Sequence, residues 1–186
     1  VTVDNVDAVV EKVSPLGGAV VAPAFDVMDA GRMAVIQDPT GAFVALWQSG
    51  SHKGAGIFNV PNSMSWNELA TRDTNAAKAF YTQLLGWDAQ TDQNGYTVWM
   101  NQGRMNGGMM QMDAQWGDMP PHWSVYFSVA DCAATADQAK ALGGNIVVPP
   151  FPAGGVGTVA VIQDPQGGTF MAIQMNAPDK SMPAVN

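Results

Sequence analysis

Residues 34–39 read AVIQDP, and residues 160–165 read AVIQDP again. At the same offset of 126, Leu16, Gly17 and Gly18 meet Leu142, Gly143 and Gly144. Val3 and Val129, Pro23 and Pro149, Phe25 and Phe151, Gly31 and Gly157, Gly41 and Gly167, and Gln48 and Gln174 fall into that register too. A six-residue block, a Leu-Gly-Gly and scattered glycines and prolines do not align without a gap by chance. The chain is an internal repeat, and the repeat defines its structural unit.

Each copy reads in the same order. A short strand ends at Val3 or Val129, and Asp4/Asn5 or Asp131 caps a helix rich in Ala and Val. The Gly-Gly pair ends the helix with a left-handed residue. A β-branched run, 19–22 or 145–148, then leads through a Pro/Gly loop to two strands. Those strands are expected at 32–37 and 42–48 in the first copy, and at 158–163 and 169–175 in the second. Asp-Pro-Thr-Gly and Asp-Pro-Gln-Gly join them, with Pro and Gly where a type I turn prefers them.

A divergent third copy lies between these two. Residues 65–70 alternate as a strand, and Asp73/Thr74 cap a helix whose Ala77, Phe80, Tyr81, Leu84 and Leu85 form one apolar face. Gly86 ends that helix, and strands are expected at 96–101 and 106–112. The chain thus divides into a module at 1–50, a linker at 51–63, a pair of modules at 64–112 and 122–176, and a tail at 177–186. One module exposes an apolar sheet face that it cannot cover alone, so modules must pair. Residues 64–176 hold such a pair, whereas the 1–50 module lacks a mate in the chain; pairing with a second copy would make a homodimer.

Composition narrows the function classes. Among 186 residues, 47% are hydrophobic and 13% charged, a globular balance. Eight Lys and Arg against sixteen Asp and Glu give a net charge of −8, which argues against a nucleic-acid partner. No apolar run is long enough for a membrane span, so no membrane partner is expected. The lone Cys132 excludes an intramolecular disulfide and fits a reducing, cytoplasmic setting. The first residues carry acids where a signal peptide carries Lys or Arg, and no initiator Met is present, so the chain is read as a fragment, a processed form, or a frame begun at an unusual codon.

Residues 66–87, WNELATRDTNAAKAFYTQLLGW, and the segments HWSVYFSVAD, LGG and VGTVAVIQDPQGGTFMAIQ within 122–174 resemble the two halves of a glyoxalase/bleomycin-resistance/extradiol-dioxygenase (vicinal-oxygen-chelate) domain. Residues 1–48 resemble the second half of a preceding domain, as in actinobacterial two-domain glyoxalase-like proteins lacking about their first module. The resemblance implies an α+β fold of βαβββ modules, paired into curled mixed sheets around a cleft. It also implies where metal-dependent members place their ligands: on the first and last strands of each module. Those positions are Trp66 and Ser124, then Met171 or Ala45, with Gln111 or Met112 in the middle module. None is an acid, a histidine or a thiolate, which divalent metals require. No cofactor is therefore expected.

Glu68 shares the strand face of Trp66, which the resemblance turns inward. It is either a general base or anchor for a cationic ligand, or a carboxylate bonded to a neighbouring strand or linker near the rim. His122 is the one weak metal candidate, with Glu68 its evident partner, and otherwise a rim residue after Pro120 and Pro121. Trp66, Trp99, Met112, Ser124, Tyr126 and Met171 would line a ligand cleft, or fill a core. The expected function is metal-free binding of a small molecule in an apolar cleft anchored by Glu68. The alternative is a lyase or isomerase acting on a small carbonyl substrate or its thiol adduct, so enzymatic activity is left open.

Overall fold

The computed structural model describes residues 1–176; the tail expected at 177–186 lies outside the described residues. Three helices and eleven strands follow in the order α1 (Val6–Val13), β1 (Ala19–Val27), β2 (Gly31–Gln37), β3 (Phe43–Ser49), β4 (Met64–Thr71), α2 (Thr74–Leu85), β5 (Asp88–Thr91), β6 (Thr97–Asn101), β7 (Arg104–Gln111), β8 (His122–Ser128), α3 (Cys132–Ala141), β9 (Asn145–Ala153), β10 (Gly157–Gln163) and β11 (Thr169–Met175). This is the α+β arrangement of repeated βαβββ modules. The contacts gather it into two units: Val1–Gly54 with Glu68–Trp123, and Ala55–Asn67 with Ser124 onward.

The polar residues shared by the two repeat copies hold backbone. Asn5, Asp73 and Asp131 each accept from the amide three residues on and so cap α1, α2 and α3. The side-chain carbonyl of Gln48 accepts the first amide of α1 at Val6 (2.9 Å), and Gln174 does the same for Cys132 on α3 (3.0 Å). These amides have no partner within their helices, so a returning strand supplies one. Gly17 and Gly143 end the helical segments of their copies at φ 87° and 88°.

Strands β1 and β9 run on through prolines that the sequence places in a loop. β1 contains Pro23, and β9 contains Pro149, Pro150 and Pro152. Both are sheet-edge strands, and both pair with register shifts. Proline removes one ladder donor, which an edge strand or a bulge tolerates. The strand β5, Asp-Ala-Gln-Thr, is a further addition to the expected elements. It is too short and polar to show a period.

In the first unit, β1-β2-β3 form one antiparallel sheet, and the strands β5-β6-β7-β4 lie side by side in that order. Both sheets lay one face on a shared core. Val6 and Val13 of α1, with Ala34, Ile36 and Leu46 of β2 and β3, meet Leu69, Phe80, Tyr81, Leu84, Trp99 and Met109. The 1–50 module thus covers its helix side with α2, while Phe25 and Phe43 on its sheets stay 42% and 56% exposed. Gly18 allows the close fit: a Cβ there would stand 2.8 Å from both the Gln37 carbonyl and the Phe80 ring.

Tyr81 is the polar centre of this core. Its hydroxyl donates to Asp38 Oδ2 (2.8 Å) and accepts from the Trp123 indole (2.9 Å). Asp38 Oδ1 accepts from Thr40, Gly41 and Ala42 amides and from the Thr40 hydroxyl. The copy at Asp164 accepts only turn amides, from Gln166 and Gly168. Burial drives the Tyr81 phenol far above the ordinary tyrosine range, and the Asp38 charge adds to this.

In the second unit, β8-β11-β10-β9 follow in order, with Tyr126 of β8 beside Met171 of β11 in parallel register. A smaller core forms under α3 from Cys132, Ala136, Ala160, Ile162 and Ala172.

Tyr81→Phe should cost about 1–3 kcal/mol in urea denaturation, because Asp38 and the Trp123 indole lose a buried partner. Above about pH 10 an unfolded tyrosine ionises while the folded Tyr81 does not, so wild-type stability falls there. Tyr81→Phe lacks that component, and its deficit should narrow between about pH 9 and about pH 11. A deficit constant over that window would refute the assignment.

Candidate functional site

Glu68 lies on β4 beside Gly108 of β7, and Gly108 faces Val98 of β6. Neighbouring strands carry in-register side chains on the same face, so Glu68, Gly108 and Val98 share one side of the sheet. Leu69 and Met109, the next pair along, point into the helix-side core. Glu68 is buried, and its Oε2 accepts a 2.7 Å hydrogen bond from the Tyr96 hydroxyl. Tyr96 has the same parity as Val98 and stands on the same face. The sequence reading did not single it out: alternation marks its face, but only the β4–β7–β6 register puts it within reach of Glu68.

Trp99 is one residue out of phase with Val98 and faces the other way. It is fully buried, with its ring 5.6 Å from Tyr81 and 5.9 Å from Trp87. Its register partner is Gly107. Trp99 Nε1 has no hydrogen-bond acceptor in the structure. Its placement is therefore in the core, on the side opposite Glu68. Met112 is buried just past β7, where its amide donates to Thr71 (2.8 Å).

Trp66, Ser124, Tyr126 and Met171 belong to the second unit. Tyr126 and Met171 are side by side, and the pair that follows, Phe127 and Ala172, carries Ala172 into the α3 core. Tyr126 and Met171 consequently face away from α3. Ser124 shares the Tyr126 face by alternation and is buried.

His122, in the first unit, begins β8. Its Nδ1 lies 2.8 Å from the Pro120 carbonyl, and a carbonyl only accepts, so Nδ1 carries the proton and the neutral ring presents Nε2 as an acceptor. The loop holding Pro120 is tied down by Arg72, which donates to the carbonyls of Asp113, Gly117 and Met119. Trp116 from the same loop stands 6.1 Å from the His122 ring. Cys132 is buried with its thiol pushed up, first by burial and then by the Asp131 charge. It stays a thiol at neutral pH and is no ready nucleophile.

The positions that metal-binding relatives would use do not suit a metal here. An indole, a serine hydroxyl and thioethers supply no anionic or imidazole donor. Among the described residues, no three His, Cys, Asp or Glu side chains converge. No described helix is long and apolar enough to cross a membrane.

Comparison with known proteins follows this geometry. Residues 63–171 match the family profile of the Glyoxalase/Bleomycin resistance protein/Dioxygenase superfamily. The chain is 44% identical over 179 residues to CFP32 of Mycobacterium tuberculosis, whose name assigns it provisionally as a glyoxylase; the match covers 94% of this chain and 67% of that protein. It is 37% identical over 175 residues to the anthracycline biosynthesis protein DnrV of Streptomyces peucetius, covering 92% of this chain and 63% of that one. Among solved structures, an Mn(II)-bound glyoxalase from Novosphingobium aromaticivorans superposes with a TM-score of 0.61 at 17% identity, covering 93% of this chain and 60% of that chain. The 2,3-dioxygenase LapB from Pseudomonas sp. KL28 gives 0.59 at 12% identity, covering 97% and 71%. These two likenesses bear on the fold.

In 15N NMR of the imidazole, the neutral ring of His122 should show the Nδ1–H tautomer. A dominant Nε2–H tautomer would contradict the Pro120 bond.

Proposed function

The chain belongs to the glyoxalase/bleomycin resistance protein/dioxygenase superfamily, and within it we propose a protein that binds a small organic molecule without a catalytic metal. Glu68 carries this reading. A carboxyl group buried on a sheet face and bonded to a phenol is a polar group that would suit a cationic ligand. Val98 and Met110, on the Glu68 side of the sheet, are the proposed apolar contacts of Glu68's ligand; Trp66, Ser124, Tyr126 and Met171 of the second unit are proposed, separately, as ligand-facing residues of that unit. Trp99 and Met112 serve packing in this scheme. The net charge of −8 works in the same direction as Glu68 by raising the local concentration of cations.

The name of the Streptomyces relative, an anthracycline biosynthesis protein, supports a polycyclic aromatic ligand, whose rings would suit aromatic and thioether side chains. The name of the mycobacterial relative supports the competing reading, a lyase acting on a small carbonyl compound. That activity would need either a metal, for which the donors are unsuited, or acid/base work by Glu68.

For the partner, we propose a homodimer through the 1–50 module. Phe25 and Phe43 are its exposed aromatics, and burying a phenylalanine side chain contributes about 1.5–3 kcal/mol. Sedimentation should then show a dimer that Phe43→Lys dissociates, whereas a monomeric wild type would remove the proposal.

The ligand reading is tested by metal analysis and thermal shift on the purified protein. Daunorubicin, an anthracycline with a protonated amine, should raise Tm by mass action. Glu68→Gln should weaken it by about tenfold, the loss of one charged hydrogen bond. Stoichiometric Zn, Ni, Mn or Fe, or daunorubicin affinity unchanged in Glu68→Gln, would overturn the reading.

A further inference from the structure

The bonds at the Tyr81 hydroxyl have a direction. The phenol donates its proton to Asp38 Oδ2 (2.8 Å), and the Trp123 indole donates to the phenol oxygen (2.9 Å). Asp38 accepts at both of its oxygens, so it stands there as a carboxylate with no proton of its own. The phenol, deep in the core, keeps its proton.

Electron-rich rings surround this phenol. The rings of Trp87, Trp99 and Trp123 stand 5.9, 5.6 and 5.5 Å from that of Tyr81. Trp87 and Trp99 are buried, whereas Trp123 is half-buried and so offers the edge that a solute can reach. Indole and phenol both yield one electron to a strong oxidant. Their order here is set by position: Trp123 lies toward solvent, and its N–H is bonded directly to the Tyr81 oxygen.

A neutral phenol yields its electron readily only if its proton leaves with it, because the protonated phenol radical is a very strong acid. Asp38 Oδ2 already holds that proton at hydrogen-bond distance, so no heavy atom has to move. Charge favours the same step. An oxidised indole is a cation beside a buried carboxylate, and passing the electron and the proton leaves both groups neutral. In an apolar shell the loss of two charges is favourable. Afterwards the Trp123 N–H still bonds the phenoxyl oxygen, and four donors still bond Asp38 Oδ1.

We propose that Tyr81 is a redox site, which takes up a one-electron oxidising equivalent entering at Trp123 while Asp38 takes its proton. The oxidant is of the organic peroxyl radical class. One electron passes from the Trp123 indole to the peroxyl radical, which takes a proton from water and leaves as a hydroperoxide, with hydroxide left behind. One electron then passes from Tyr81 to the Trp123 radical cation. In that step the Tyr81 O–H bond breaks and an O–H bond forms at Asp38 Oδ2. Trp123 is restored, Asp38 becomes a carboxylic acid, and the unpaired electron rests on a phenoxyl shielded from water. This activity goes beyond the ligand-binding reading and does not depend on it.

The test applies photogenerated tris(bipyridine)ruthenium(III) to the whole chain, followed by transient absorption and high-field EPR. Wild type should show an indole radical cation that decays into a neutral tyrosyl radical. Tyr81→Phe should lose the tyrosyl signal and keep the indole one. The chain has three tyrosines, so a tyrosyl that survives this substitution lies on Tyr96 or Tyr126 and overturns the proposal. Asp38→Asn removes the base, and the indole radical should then persist without a tyrosyl; an undiminished tyrosyl yield overturns the proton transfer. Should Asp38→Asn not fold, wild type in heavy water decides. The indole-to-tyrosyl step should slow there because a proton moves with the electron, and equal rates overturn it. Trp123→Phe should also lose the tyrosyl, and an unchanged yield removes Trp123 as the entry. Peroxyl radicals from a water-soluble azo initiator should produce the same tyrosyl in freeze-quenched samples, and its absence there overturns the assigned oxidant.

Discussion

A single buried hydroxyl fixes the first unit. Tyr81 donates to Asp38 from the first module and accepts from Trp123 at the start of β8, so one side chain on α2 ties three remote stretches of chain. A buried carboxylate without its hydrogen bonds costs far more than each bond contributes, and Asp38 has five of them. The aromatic rings of Phe80, Trp87, Trp99 and Trp123 all stand within 6 Å of Tyr81 and remove it from water. That apolar shell makes the polar bonds strong, and the bonds fix the angle at which the shell packs.

This constraint gives the two faces of one sheet different side chains. The helix side of β4, β6 and β7 is spent on Leu69, Trp99 and Met109, all fully buried. The bonded pair Glu68 and Tyr96 stands on the opposite side. Because strand side chains alternate, the rigid packing of one face holds the residues between at a set height and angle on the other. Gly107 and Gly108 fall on the two faces in turn: one is the register partner of Trp99, and the other stands between Glu68 and Val98.

The repeat shows how polar residues divide between scaffold and site. Gln48 with Gln174 and Gln37 with Gln163 do the same backbone work in both copies. Asp38 and Asp164 share a turn, yet only Asp38 is bonded to Tyr81. A polar residue that recurs in register thus serves the module, and its extra partner serves the assembly of modules.

The sequence by itself determined the modules, their caps and stops, the Asp-Pro turns and the unsuitability of Trp66, Ser124 and Met171 as metal donors. Each of these depends on residues a few positions apart, where backbone hydrogen bonding and the periods of helix and strand act directly. It also placed Glu68 and Trp66 on one strand face. Tertiary structure decided the rest: that Trp99 turns into the core, that β1 and β9 carry prolines along sheet edges, and that Tyr96 reaches Glu68. Those outcomes depend on which strands become neighbours and in what register, and a shift of one residue would send each of these side chains to the other face.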